Sequence, residues 1–165
     1  RVPIKPHRVK GASSGVIVEG LDSCLVKFAR CCNPLPGDEI IGFVTRGFGV
    51  SIHKKDCANV INSINDPNNA ERWVRAEWAM ESAKKEHFKS TIEIVTDDRI
   101  GALADISVAL STMRISISTL MAREVKTGEN IVTVTFTVSD IDQLNFIIGN
   151  LRKIPGVTSV TRSVQ

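Results

Sequence analysis

The most regular hydrophobic pattern in the chain lies between Asn130 and Val138. There Val132, Val134, Phe136 and Val138 alternate with threonines, and side chains two residues apart on a strand point to the same face. The pattern therefore predicts a strand that buries its valine side in a core and turns its threonine side towards solvent.

Apolar spacing on either side of this strand predicts the rest of one domain. Apolar residues recur at intervals of three and four over residues 103–113 and 141–151, as on one face of a helix, and Asp140 with Gln143 is placed to cap the second helix. Residues 91–96, 115–125 and 157–162 predict strands, with a turn at Thr127-Gly128. The resulting order, βαββαβ, is the ferredoxin-like plan, in which two helices cover one face of a four-stranded antiparallel sheet.

Shorter apolar runs, separated by glycines and prolines, predict a small α/β module in the first half. Residues 16–18, 24–28, 39–44 and 49–52 predict strands, and Asp56 is placed to cap a short helix. A polar cluster at residues 65–69 predicts the end of this module, and residues 73–80 are extended or connecting. We therefore expect an α+β chain with a basic linker over 1–14, the module over 15–69, a connector over 70–86 and the βαββαβ domain over 87–165.

Composition and charge narrow the classes of function. The chain has 165 residues, of which 42% are hydrophobic and 24% charged, which is enough for two small cores. The net charge is only +3, and the excess lies in a leading arm, where Arg1, Lys5, Arg8 and Lys10 are accompanied by no acid. No apolar run approaches the roughly 18 residues that span a bilayer, and no signal peptide is visible. The sequence thus predicts a cytoplasmic protein with no membrane partner.

Three of the four cysteines, Cys31, Cys32 and Cys57, share one turn-rich stretch with His53. Three thiolates and one imidazole are a ligand set that zinc takes tetrahedrally in structural sites. His53 and Cys57 are four residues apart, which suits a turn into a helix, whereas the adjacent Cys31 and Cys32 can both be ligands only from a bend. From the residues alone, buried reduced thiols stay an alternative and disulfides a less favoured third. Cys24 is expected to be a core thiol.

The pairing of Cys57 with His53 also raises the possibility of a nucleophile and its base. The sequence offers no convincing third group to orient the histidine, and Gly47-Phe48-Gly49 is too short for a phosphate-binding loop. We expect no catalysis by this chain.

Two stretches carry a family resemblance. "CCNPLPGDEIIGFVTRGFGVSIHKKDC", preceded by "SGVIVEGLDSCLVKFARC", resembles the zinc-finger-like conserved-cysteine domain near the C-terminus of RelA/SpoT-type stringent-response proteins. "STIEIVTDDRIGALADIS" resembles the start of the ACT domain that terminates those proteins. The resemblance implies structural zinc on Cys31, Cys32, His53 and Cys57.

The resemblance also implies a function. Such proteins make guanosine tetra- and pentaphosphate, and bifunctional members hydrolyse them, with N-terminal catalytic domains that this chain lacks. The region seen here would control those domains and engage ribosomal RNA and uncharged A-site tRNA. The basic residues expected to contact RNA are Arg46, Lys54 and Lys55, through phosphates, because the chain has no tyrosine for base stacking on the sheet.

An alternative is an amino-acid-sensing ACT module with a purely structural zinc site. ACT domains often bind amino acids at the loop after their first strand. That loop is formed here by Asp98, Arg99, Ile100, Gly101 and Ala102. A branched-chain amino acid is the expected effector, and a homodimer through the ACT domain is the expected assembly.

Overall fold

The computed structural model describes residues 15–21, 24–47 and 49–163, and the chain divides into two compact units at residues 1–86 and 87–165. The predicted linker over 1–14 lies outside the described residues. In the described part of the chain, none of the helices has the length and apolar character needed to cross a membrane.

The first unit is built on a mixed five-stranded sheet of order β1-β5-β3-β4-β2. Its strands are β1 (Val16–Val18), β2 (Leu25–Phe28), β3 (Ile40–Val44), β4 (Gly49–Lys54) and β5 (Trp73–Trp78). β2 runs parallel to β4, and the other pairs are antiparallel. Two short helices, α1 (Ala58–Ser63) and α2 (Met80–Ala83), and one turn of 3₁₀ helix (Ala70–Arg72) complete the unit.

This sheet curls around its own core. Phe28 on β2 stacks on Trp78 of β5 with ring centroids 5.8 Å apart. Three strand spacings would separate these strands by about 14 Å in a flat sheet. The curled inner face holds six buried apolar side chains, Val16, Val18, Ile40, Val50, Ile52 and Ala76. The site described below lies on the outer face of this sheet.

The position of β5 corrects the predicted domain boundary. β5 pairs with β1 on one side and β3 on the other, so residues 70–86 belong to the first unit and are not a connector, and that unit does not end at residue 69. Val74 and Ala76 face the core while Arg75 and Glu77 face outwards, the normal alternation of a strand with one exposed face.

The start of α1 also differs from the prediction. Cys57 occupies the N-cap position, and the Asp56 side chain lies 3.4 Å from the Lys54 ammonium instead of capping the helix.

The second unit has the predicted βαββαβ order, and the ferredoxin-like plan is confirmed. Its elements are β6 (Phe88–Thr96), α3 (Ala102–Thr112), β7 (Ile117–Glu124), β8 (Asn130–Val138), α4 (Ile141–Leu151) and β9 (Val157–Arg162). The strands form an antiparallel sheet of order β7-β8-β6-β9.

The core of the second unit follows the alternation along β8. Val132, Val134, Phe136 and Val138 are buried, and Ile106 of α3 and Leu144 of α4 are buried with them. The threonines on the other face are half-buried rather than fully exposed, and one of them, Thr135, shares a hydroxyl hydrogen bond of 2.9 Å with Thr91 of β6. The predicted division into a buried and a more open face therefore holds.

The N-terminus of α4 is capped as the sequence predicts. The Asp140 carboxylate accepts a hydrogen bond of 2.8 Å from the backbone N–H of Gln143. The Gln143 side chain in turn accepts one of 2.7 Å from the backbone N–H of Ser139. Such reciprocal bonds satisfy amides that have no partner within the helix.

Candidate functional site

The four predicted ligands meet on the outer side of the first sheet. The Cys31 Sγ atom lies 3.5 Å from Cys57 Sγ, 3.9 Å from Cys32 Sγ and 3.4 Å from His53 Nδ1. All four ligand atoms lie within 4.8 Å of one another. The residues that the sequence proposed as ligands are therefore brought together in space and could hold a metal ion.

Three separate elements deliver these side chains. Cys31 and Cys32 lie in the turn that follows β2, which is closed by a hydrogen bond of 2.9 Å from the Asn33 N–H to the Ala29 carbonyl. Because neither residue is in a regular strand, both thiols can point to the same side. His53 projects from the outer face of β4, and Cys57 stands at the start of α1. The bend that adjacent cysteine ligands require is thus present.

Burial and local hydrogen bonds give the thiols different acidities. Burial raises the pKa of Cys32 to about 12, although the Lys54 N–H donates to its sulfur at 3.3 Å. Burial also opposes ionisation of Cys57, but hydrogen bonds from the backbone N–H groups of Asn59 and Val60 and from the other two thiols of the site together more than offset it, so the pKa of Cys57 is lowered. In metal-free protein Cys57 is thus the more readily ionised of the two, and Cys32 would lose its proton when a metal binds.

His53 is held with Nδ1 towards the thiols. Its Nε2 atom lies 3.3 Å from Ser51 Oγ on the same strand, and its ring makes a T-shaped contact with the Trp73 ring, with centroids 5.8 Å apart at 70°. Burial lowers the pKa of His53, which favours the neutral imidazole that ligates metals. Ser51 and Trp73 were not predicted as part of the site. The available signal for Ser51 was its spacing of two from His53, although the strand predicted over residues 49–52 ended one residue before His53.

Cys24 does not join this group. It packs against the core inside the curled sheet, and burial raises the pKa of its thiol. Among the described residues, the group that could hold a metal ion consists of the other three cysteines and His53.

The three basic residues predicted to contact RNA fall at two places. Lys54 and Lys55 directly follow His53, whereas Arg46 lies in the turn between β3 and β4. Gly49, at the end of β4 next to this turn, is four residues from His53, a distance of about 13 Å along the strand. Arg46 therefore lies beyond the opposite end of β4 from His53. Lys54 is less accessible to a phosphate, because its ammonium pairs with Asp56 and its side chain is only 20% exposed. Lys55 is exposed.

The predicted amino-acid loop of the second unit lines a cavity of about 260 Å³. Asp98, Arg99, Gly101 and Ala102 contribute to its wall, whereas Ile100 is 99% exposed and points elsewhere. Gly101 has φ of +88°, a left-handed conformation that favours glycine at this turn.

Existing bonds limit what this loop offers a ligand. The Arg99 guanidinium donates to the Asp105 carboxylate at 2.6 Å and to the Pro155 carbonyl at 3.1 Å. Asp98 accepts from the Asn130 side chain at 3.1 Å. The same cavity is also lined by Arg123 and Glu124 of β7, which sequence reasoning missed because only the pairing of β7 with β8 brings them to the loop.

Comparison with known families agrees with both units. The profile of the RelA/SpoT RIS domain matches residues 16–79, and that of the ACT domain matches residues 84–162. The chain belongs to the RelA/SpoT family. The resemblance to the C-terminal region of RelA/SpoT proteins is thereby confirmed, and the RIS match, like the sheet, includes β5.

Curated RelA/SpoT relatives match almost the whole chain. A GTP pyrophosphokinase of Streptomyces coelicolor is 36% identical over 168 residues, which cover 96% of this chain and 19% of the relative. One of Myxococcus xanthus is 37% identical over 164 residues, covering 98% of this chain and 21% of the relative. The chain thus spans about a fifth of the length of these relatives. The solved ACT domain of a Chlorobium tepidum GTP pyrophosphokinase is 28% identical and covers 48% of this chain and 89% of that one, with a TM-score of 0.44.

Proposed function

We propose that this chain is the regulatory C-terminal region of a protein that synthesises or hydrolyses guanosine tetra- and pentaphosphate. The supporting observation is that its RIS and ACT domains together align with GTP pyrophosphokinases over 96% and 98% of the chain. The chemistry would be carried out by N-terminal catalytic domains of the parent protein, and this region would control them.

We further propose that Cys31, Cys32, His53 and Cys57 hold one structural zinc ion. In a tetrahedral site with Zn–S of about 2.3 Å and Zn–N of about 2.0 Å, the ligand atoms are about 3.8 Å apart for two sulfurs and about 3.5 Å apart for sulfur and nitrogen. The sulfur pairs at 3.5 and 3.9 Å and the sulfur–nitrogen pairs at 3.4 and 3.9 Å fit this geometry. Four protein ligands leave no open position for substrate, which is typical of structural zinc.

The zinc-centred domain would dock on ribosomal RNA and help to sense uncharged tRNA in the A site. Lys55 supports this role, because it is exposed and lies two residues from both His53 and Cys57, where the metal would hold its backbone rigidly. Arg46 would contribute from a second point at the β3–β4 turn.

Co-sedimentation with ribosomes that carry an uncharged A-site tRNA tests the docking proposal. Alanine at Lys55 and Arg46 should each weaken binding and lower the dependence of log affinity on log salt by about one unit per lost phosphate contact. Lys126→Ala, in the turn after β7 of the ACT unit, is the matched control and should bind like wild type. Equal pelleting of all variants at every salt concentration, with zinc retained, would show that the docking surface lies elsewhere.

A second function, amino-acid sensing, is favoured by the cavity beside Gly101. Its volume of about 260 Å³ suits a ligand of amino-acid size, and Ala102 and Leu103 offer apolar contacts for a branched side chain.

β7 is an edge strand exposed along nearly its whole length, with Met121 68% exposed, and is available for pairing with a second copy. Calorimetric titration with leucine, isoleucine and valine, with sedimentation velocity for the dimer, tests this function. Absence of heat and of chemical-shift change at saturating ligand would reject it.

A further inference from the structure

Ser51 and His53 occupy alternate positions on β4, and their side chains therefore lie on the same face of the strand. The Ser51 Oγ atom is 3.3 Å from His53 Nε2, while His53 Nδ1 is 3.4 Å from Cys31 Sγ. The imidazole thus bridges the serine hydroxyl and the thiol group, with one nitrogen directed at each.

The chemistry of a metal-bound imidazole gives this bridge a role. When Nδ1 gives its lone pair to a metal, the proton of the neutral ring is on Nε2, and this N–H needs an acceptor. The Ser51 hydroxyl oxygen is within hydrogen-bond reach and can accept it. A partner on the remote nitrogen fixes the ring orientation and makes the ligating nitrogen more basic.

Packing restricts the ring from another direction. The Trp73 and His53 rings make a T-shaped contact, with an interplanar angle of 70°, and Trp73 is itself packed on Phe43 with ring centroids 4.7 Å apart. Phe43 pairs directly with Ser51 across β3 and β4. The aromatic side chains therefore limit rotation of the imidazole, while the Ser51 hydroxyl is the side-chain group within hydrogen-bond distance of its Nε2 atom.

We propose that Ser51 is a positioning residue of the metal centre, which holds His53 so that Nδ1 rather than Nε2 ligates the ion. This inference rests on the proposed zinc site and adds to it a residue and a ligating atom. The hydroxyl acts through His53 and does not touch the metal.

The test uses the whole 165-residue chain with zinc as the probe. Zinc affinity is measured by competition with a chromophoric chelator for wild type, Ser51→Ala, Ser51→Thr and Ser63→Ala. Ser51→Ala should weaken zinc binding about 10- to 100-fold, while Ser51→Thr, which keeps the hydroxyl, should stay close to wild type. Ser63→Ala is the matched control, because the Ser63 hydroxyl donates to the Asn59 carbonyl within α1 and away from His53.

A nitrogen-15 spectrum of the imidazole rings supplies an independent reading on wild-type protein, whether or not the alanine variant folds. Zinc-loaded wild type should show His53 ligated through Nδ1 with the proton on Nε2. Ligation through Nε2, or equal zinc affinity of Ser51→Ala and wild type, would overturn the role of Ser51 while leaving the zinc site intact. Wild type that binds no zinc would overturn both the site and the role.

Discussion

Replacing Cys57 by serine should abolish the stabilisation of the first unit by zinc and leave the second unit unchanged. The Cys57 side chain is buried, 4% exposed, and its sulfur lies 3.5 Å from that of Cys31, so the variant removes one of four converging ligands. The second unit contains none of these ligands and has a core of its own. The loss of stability should therefore be confined to the first unit, which contains the four ligands.

The size of the effect follows from linkage between binding and folding. A ligand at 1,000 times its dissociation constant stabilises the folded state by about 4 kcal/mol. Structural zinc sites bind with about 10–16 kcal/mol, so tens of micromolar free zinc is enough to reach that excess. For a domain of this size, about 1 kcal/mol corresponds to roughly 4–8 °C in melting temperature. Zinc should accordingly raise the melting temperature of the wild-type first unit by roughly 16–32 °C.

Tryptophan fluorescence makes the assay specific to one unit. The chain has two tryptophans, Trp73 and Trp78, and both lie on β5 of the first unit. Thermal melts with zinc and with chelator should differ for wild type and for Cys24→Ser, the matched control that removes a thiol outside the site, and should coincide for Cys57→Ser. A wild-type melt that is insensitive to zinc, or a Cys57→Ser melt that keeps the full shift, would refute the reasoning.

Two further predictions concern acidity and helix capping. Burial lowers the pKa of His53 below its ordinary value of 6.5. The metal-free first unit should therefore keep its full stability above pH 6.5 and lose stability as the pH falls from there through the lowered pKa of His53. Urea unfolding in chelator should show the loss on acidification, and His53→Gln should reduce it; an unchanged pH dependence in that variant would exclude His53 as the cause. In the second unit, Asp140→Ala should cost about 1 kcal/mol by removing the cap on Gln143, and the exposed Asp142→Ala should cost less. Equal losses in chemical denaturation would contradict the capping assignment.

The sequence predicted the second unit well because its hydrophobic residues alternate along the chain in the same way as the buried positions alternate along the strand. Val132, Val134 and Phe136 alternate with threonines on a strand that has one packed face, and the alternation is visible in the sequence itself. β5 was predicted only as an extended or connecting segment, because tryptophans stand on both of its faces, Trp73 outside and Trp78 inside, and mask the alternation of Arg75 and Glu77 with core residues.

The candidate site was predictable as a set of ligands but not as an arrangement. Cysteine and histidine are the residue types that ligate metals, so Cys31, Cys32, His53 and Cys57 stand out by chemistry alone. Trp73 reaches His53 only because β5 lies beside β3 in the sheet, a pairing between residues far apart in the chain that no local pattern determines. The separation of Arg46 from the ligands depends in the same way on where the β3–β4 turn falls.

The most direct test of the central claim is zinc-edge X-ray absorption on the purified chain, combined with its zinc content. The account predicts about one zinc per chain, with three sulfur neighbours at about 2.3 Å and one nitrogen at about 2.0 Å, contributed by Cys31, Cys32, Cys57 and His53. Protein that contains no zinc while fully folded, or zinc surrounded only by nitrogen and oxygen, would contradict it.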